Sequence, residues 1–341
     1  MTIVDLDARR PSRNRQLDRS TDLPAQLPPG VLRNPEMARI PGGTFLMGSN
    51  AHYAEEAPAH RATVGSFYMD VSPVTNEEFA RFVAKTGYVT VAERPLDPAL
   101  YPNASPDLLV PGGLVFCRPG GLFDHSDLRS WWAYVPGACW RHPEGPESSV
   151  NGRAHYPVVQ VAYDDAAAYA AWAGKSLPTE AEWEFAARGG LEGAEYVWGD
   201  EFKPEGRHLA NTWQGDFPLH DEGADGYAGL APVKSYPANG YGLFDMAGNV
   251  WEWTADWYSA RHESPALQKA CCIPTNPRGP TLEGSFDPYM PEVRIPRKVI
   301  KGGSYLCAPN YCRRYRPSAR YPQMIDSAAC HIGFRCVVRM S

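Results

Sequence analysis

The 341-residue chain contains no apolar run approaching the about 18 residues of a membrane-spanning helix, so nothing in it reads as a span. It also lacks any basic run interleaved with aromatics. With 33 Lys and Arg against 39 Asp and Glu the net charge is −6, which argues against nucleic acid as a partner. The nine histidines form no HExxH and no H-x3-H-x-E pattern, which removes the common histidine-built metal sites. A twin arginine, Arg9-Arg10, is followed only by polar residues. Without an apolar segment behind it this is no secretory signal, and the reading is cytoplasmic, with the eight cysteines mostly reduced. Internal repeats and low-complexity tracts are absent as well.

What the chain does have is 31 Gly, 33 Pro, ten Trp and 18 Tyr, a composition of many turns and aromatic-filled loops. Length alone suggests about two domains. Residues 1–37 are charged and poor in aromatics, and read as a flexible leader with Pro28-Pro29-Gly30 as a hinge. Residues 39–49 read as a strand interrupted by a glycine turn, and 61–70 as a second strand. Thr75 and Glu78 form a capping box, with Val74 and Phe79 as its hydrophobic staple and Gly87 as the stop. A second helix is expected after Asp164 as N-cap, closing at Gly174. A third runs from the Thr179–Glu182 box to Gly189-Gly190. Residues 93–157, with Trp131-Trp132, read as one long loop, and 191–300 show no helical period.

The pattern with most chemistry is Cys307-Ala-Pro-Asn-Tyr-Cys312, just after Gly302-Gly303. Thiolate is a soft ligand for Cu(I), zinc or iron–sulfur clusters, and a strong nucleophile. Four arginines in the RRYRPSAR at 313–320 surround the pair, and positive charge favours thiolate. On spacing alone the pair also fits a zinc half-site, a redox disulfide or two small buried hydrophobes. Cys330 and Cys336 extend the zinc reading to C-x4-C-x17-C-x5-C, although the last spacing is unlike common zinc knuckles. Cys271-Cys272 is a vicinal pair that could collect metal or oxidise.

GGSYLC-x4-C-x-RYR-x-SAR and the later GFRC at 333–336 closely resemble the C-terminal signature of formylglycine-generating enzymes, the sulfatase-modifying factors. The resemblance continues in PGGTFLMGS at 41–49, LPTEAEWEFAARGG at 177–190 and NGYGLFDMAGNVWEWTADW at 239–257. It implies an α+β, C-type-lectin-like fold with little regular structure, in a single catalytic domain over 38–341. It also implies an oxidase acting on the cysteine of a C-x-P-x-R motif in an unfolded sulfatase segment. Cys307 and Cys312 would hold Cu(I) as thiolates, the client cysteine would join them, and dioxygen would be the oxidant. Ser304 would hydrogen-bond near the oxygen or water, Trp251 would wall the pocket, and His331 would fall near it.

Two structural calcium sites are implied too. One maps onto Asn211, the Thr212 carbonyl, Asp225 and the Tyr227 carbonyl; the other onto Asp245, the Gly248 and Val250 carbonyls, and Glu252. Such oxygens suit a hard cation, and they equally suit ordinary turns. Secreted members bridge positions that are here Cys336 and Ala170, and Ala187 and Pro317. Three of these four lack sulfur, so neither bridge can form and Cys336 is expected as a buried free thiol. Two other classes stay open. An iron-dependent sulfoxide synthase shares the fold but needs histidines this chain lacks, and a non-catalytic lectin-like module has no use for two thiols beside GGSY.

Overall fold

The computed structural model describes residues 36–340 apart from 102–103, 122–123, 125–126 and 263–272. Nearly all of the expected leader, and the vicinal pair Cys271-Cys272, lie outside the described residues.

Strands β1 (Met37–Ile40) and β2 (Gly43–Met47) are separated by the glycine turn the sequence announces. Gly42 has φ +71°, and a Cβ there would sit 2.6 Å from the Gly65 carbonyl carbon, so only glycine fits. Residues 61–70 are not one strand. They divide at Gly65-Ser66 into β3 (His60–Val64), which pairs with β2, and β4 (Phe67–Asp70), which lies between β1 and the C-terminal β11 (Val337–Arg339). Both halves carry strand-forming residues, so propensity cannot reveal the break; the close approach to Gly42 does.

The helices follow their caps. In α1 (Asn76–Thr86) the Glu78 carboxylate accepts from the Thr75 amide at 2.8 Å, and Gly87 closes the helix in the left-handed region. In α3 (Glu180–Arg188) the Thr179 amide donates to Glu182 at 2.7 Å, and Gly189 plays the same closing part. For α2 (Tyr163–Trp172) the expectation needs correction. Its N-cap is Ala162, and the carboxylate that reaches back to the Ala162 amide, at 2.9 Å, belongs to Asp165, not Asp164.

Residues 93–157 are likewise not all loop. β5 (Gly112–Phe116) and β6 (Trp132–Pro136) form an antiparallel hairpin in which Phe116 faces Trp132 across the pair. Its connection is long and its strands are glycine-rich or aromatic, so no tight-turn signal marks it.

The main sheet runs in the order β10-β7-β8-β9, with β7 Trp251–Trp257, β8 Arg297–Lys301, β9 Arg320–Met324 and β10 Ile332–Gly333. α3 lies against β7 and β8 on one side of the core, and β2 and β3 on the other. The core runs from Ile40 to Val337 and is led by aromatics such as Phe79, Tyr169, Trp183, Trp253 and Phe334, each almost wholly buried. Burial of each such ring contributes about 1.5–3 kcal/mol. Threaded through this core are ion pairs out of contact with solvent: Lys175–Asp70, Lys301–Glu184, Arg316–Glu56, Arg320–Glu180 and Arg335–Glu252. The short helices and small sheets, joined by long turns, make the α+β architecture that the resemblance implies.

Candidate active site

β8 ends at Lys301 and delivers the chain to Gly302 and Gly303, both with positive φ. A Cβ on Gly303 would lie 2.9 Å from the Tyr315 amide, so the loop can fold back on itself only with glycine there. The turn is then closed by the Cys307 amide donating to the Ser304 carbonyl at 2.9 Å. A second turn follows, in which the Cys312 amide donates to the Ala308 carbonyl at 2.8 Å. Together these turns bring the two sulfurs to 3.3 Å. That is too long for a disulfide, whose S–S bond is about 2.05 Å, and short enough for a thiol to donate to a thiolate.

At that distance the Cys307 S–H can donate to the Cys312 sulfur. Burial, and then the bond to its neighbour, push the Cys307 thiol well up. Cys312 is pulled down to about 6, first by the hydrogen bond from Cys307 and, against the cost of burial, by the Arg314 guanidinium. Arg314 stands with Nη1 3.8 Å from the Cys312 sulfur. It is held from behind by Glu55 at 2.6 Å and lies over the Tyr53 ring at 3.8 Å from its centroid.

The expected ring of four arginines reduces to this one. Arg313 turns to Glu195 at 3.0 Å, while Arg316 and Arg320 make buried two-point pairs with Glu56 and Glu180. The sequence could show how many cations surround the pair but not which way they face. Tyr53 and Glu55 carry no motif that joins them to residues more than 250 positions away.

Above the sulfurs opens a cleft of about 370 Å³, lined mainly by apolar and aromatic side chains including Trp132, Phe217, Trp251, Tyr311 and Tyr321. Trp251, expected as a wall, is one: it begins β7 and its ring lies 5.9 Å from that of Tyr321 on β9. Tyr311 stacks on Phe217 at 4.1 Å. Ser304 is fully buried beside Cys307, its hydroxyl oxygen accepting the Leu306 amide at 3.2 Å, and it too borders the cleft. His331 joins from the segment before β10, with its ring 4.7 Å from Trp132. The hairpin β5/β6, unread in the sequence, thus supplies one wall.

Cys330 and Cys336 do not converge on the pair. The Cys330 sulfur takes the Phe116 amide at 3.3 Å, and Cys336 is a fully buried free thiol in the core cluster. Among the described residues no group of three or more His, Cys, Asp and Glu side chains is arranged around a common point.

The oxygen-rich turns behave differently from one another. The Asp225 carboxylate accepts the Thr212 amide at 2.9 Å and the Tyr227 amide at 3.1 Å. The Gln214 side-chain nitrogen sits among Asp225 at 2.7 Å, the Thr212 hydroxyl at 3.3 Å and the Thr212 carbonyl, a point where three oxygens converge. Asn211 reaches Gly229 and Asn249 through its amide nitrogen, and its backbone bridges Gly248. In the second set Asp245 accepts the Lys234 amide, and burial raises its pKa to about 6. Glu252 is engaged: both oxygens bind Arg335 at 2.7 Å and one also takes the Trp183 indole N–H at 2.8 Å. These bonds leave Glu252 Oε1 with one further acceptor position.

Residues 24–340 match the family model of the sulfatase-modifying factor enzyme 1-like domain. The chain belongs to the sulfatase-modifying factor family. A formylglycine-generating enzyme of Mycobacterium tuberculosis is 55% identical over 89% of this chain and 97% of its own length. One from Thermomonospora curvata is 46% identical over 92% and 96%. An inactive C-alpha-formylglycine-generating enzyme 2 of Mus musculus is 38% identical over 90% and 87%. Family membership by itself therefore does not decide activity in a sulfatase-modifying factor; the site must. Among solved structures, PvdO of Pseudomonas aeruginosa shares the fold, with a TM-score of 0.57 at 23% identity over 89% of this chain and 94% of its own.

Proposed function

We propose that this sulfatase-modifying factor converts the cysteine of a C-x-P-x-R segment in a client sulfatase to formylglycine, using dioxygen and a copper(I) ion held by Cys307 and Cys312. The supporting observation is the thiol pair itself: two sulfurs 3.3 Å apart at the floor of an aromatic-walled cleft. A redox disulfide would need no such cleft, and zinc would need more ligands than the pair has at hand. Two soft sulfurs with open space beside them fit Cu(I) and leave room for a third sulfur from the client.

Copper(I), when bound, supplies the one-electron chemistry that lets triplet dioxygen oxidise a closed-shell thiol. The chain's own residues prepare that site. Arg314 compensates the charge on Cys312, so metal loading has only the Cys307 proton to displace. Trp251, Trp132 and Tyr321 give the cleft apolar walls beside the sulfurs, which lowers the local polarity and strengthens charge interactions there. The Ser304 hydroxyl, oriented by the Leu306 amide, can donate a hydrogen bond to oxygen or water beside Cys307. The client cysteine loses a hydrogen from its β-carbon and one from its sulfur, giving up two electrons to become a thioaldehyde, and an external pair of thiols supplies the other two that reduce dioxygen to water. Water then replaces the sulfur of the thioaldehyde, which departs as hydrogen sulfide and leaves the aldehyde. Incubating copper-loaded protein with a C-x-P-x-R peptide and a thiol reductant in air should convert the cysteine to an aldehyde, read by mass and by hydrazide trapping. No aldehyde would contradict the reading.

A calcium ion at the Asn211–Tyr227 turn belongs to the same proposal. The three oxygens around the Gln214 nitrogen are the support, since a cation there would draw on the same acceptors. The other expected set, Asp245, the Gly248 and Val250 carbonyls and Glu252, belongs to the same proposal, supported by the acceptor position left on Glu252 Oε1. The expected setting is the cytoplasm; the described residues include no helix long and apolar enough to cross a membrane.

A further inference from the structure

Two polar side chains in the cleft, Gln323 and His331, are not used by the chemistry above. His331 lines the cleft beside Trp132, whose ring is tilted 40° against the imidazole. Its backbone is fixed, because the His331 carbonyl accepts the Trp251 amide at 2.9 Å where β7 and β10 begin to pair. Its Nδ1 is buried and has no hydrogen-bond partner. Burial also holds the imidazole neutral, with its pKa pushed down to about 3. A neutral imidazole carries one N–H and one lone pair, and the nitrogen that bears the proton must be inferred. A buried N–H left without an acceptor is the rarer and costlier defect, a buried lone pair without a donor the milder one. The lone pair therefore belongs at Nδ1 and the N–H at Nε2, the ring nitrogen left for the cleft.

We infer that His331 is a client-positioning residue, whose Nε2–H donates to a backbone carbonyl of the extended segment that brings the reacting cysteine to Cys307 and Cys312. An extended peptide entering a cleft walled by aromatics loses water from its backbone carbonyls and has few donors to replace it. Arg314 is engaged by Glu55, which leaves the Gln323 amide and the His331 imidazole among the neutral donors lining the cleft, and of these two His331 is packed against a wall ring. A fixed neutral donor suits a carbonyl, binds every client sequence alike, and sets the depth at which the cysteine arrives. The inference rests on the functional reading above.

The test is direct binding of an A-x-P-x-R peptide, with alanine for the cysteine, to metal-free protein, alongside conversion of the cysteine peptide by copper-loaded protein. His331→Phe keeps a flat ring against Trp132 and removes the donor. It should weaken peptide binding about tenfold and raise KM to match, with kcat and melting temperature little changed. His331→Asn restores a neutral N–H and should recover most of the affinity. Equal binding by wild type and His331→Phe, with wild type converting its peptide, overturns this inference and leaves the function standing. So does a loss that His331→Asn fails to recover, which would make the ring a packing element. A wild type that neither binds nor converts overturns the function and the inference together.

Discussion

Two sets of cations come from one short stretch of chain and do opposite work. Arg316 and Arg320 point into the interior, where each meets one carboxylate in a two-point pair sealed from solvent. Arg314, two residues before Arg316, instead borders the cleft, braced by Glu55 and stacked on Tyr53, and puts its remaining charge toward a sulfur. Removing a buried partner strands a charge in a low dielectric; removing Arg314 strands only a thiolate that can take up a proton. The interior set is thus tied to folding and the outer one to chemistry.

The sharpest way to break this division is Arg316→Met. It leaves Glu56 buried without its partner, and should cost about 3–5 kcal/mol in urea unfolding. A loss below about 1 kcal/mol would show that the interior pairs are replaceable. Arg314→Met should cost far less stability, yet slow alkylation of Cys312 near pH 7 as its thiol returns toward the ordinary value near 8.5. Unaltered alkylation would remove Arg314 from the chemistry.

Acid provides a graded version of the same test. Burial raises the Glu184 pKa, but Lys301 and Arg188 more than offset that and hold it down to about 2, below the ordinary value. Its contribution is complete above the unfolded value near 4.5 and is lost as pH falls toward 2. Glu184→Gln should therefore flatten the decline of melting temperature across that window. A parallel decline in both proteins would place the acid sensitivity elsewhere.

Smaller effects are expected outside both sets. Chelation or Asp225→Ala should lower the melting temperature by a few degrees while leaving copper binding intact, because a cation that binds only the folded state stabilises it by mass action. Equal melting with and without calcium would count against the turn as a cation site. Cys336→Ala should cost about 1 kcal/mol at most and spare activity, and strong reductant should not move the melting temperature.

How far the sequence carried this reading varied with the range of the interaction. Thr75 with Glu78 and Thr179 with Glu182 are local, and both boxes were legible because three residues suffice to specify them. At α2 the same logic chose Asp164, since the letters do not say whether a carboxylate caps from the first position or reaches back from the third. The β5/β6 hairpin pairs residues about 16–24 apart, a separation at which no turn residue announces the partner. At the site, the thiols, Gly303 and Ser304 stood in one readable stretch. The brace of Tyr53 and Glu55, and the wall from Trp132, come from distant segments that only the fold brings near. The Arg335 partner of Glu252 is equally remote, 83 positions along the chain.

The central claim is that Cys307 and Cys312 act together as a soft metal site that oxidises a client thiol. Its most direct test is to titrate reduced protein with Cu(I) against a competing chelator and then supply the C-x-P-x-R peptide, dioxygen and thiol reductant, comparing wild type with Cys312→Ser. The account predicts about one tightly held Cu(I) per chain and formation of the aldehyde in wild type, with both lost in Cys312→Ser. Full conversion by Cys312→Ser, or conversion by wild type freed of copper, would contradict it.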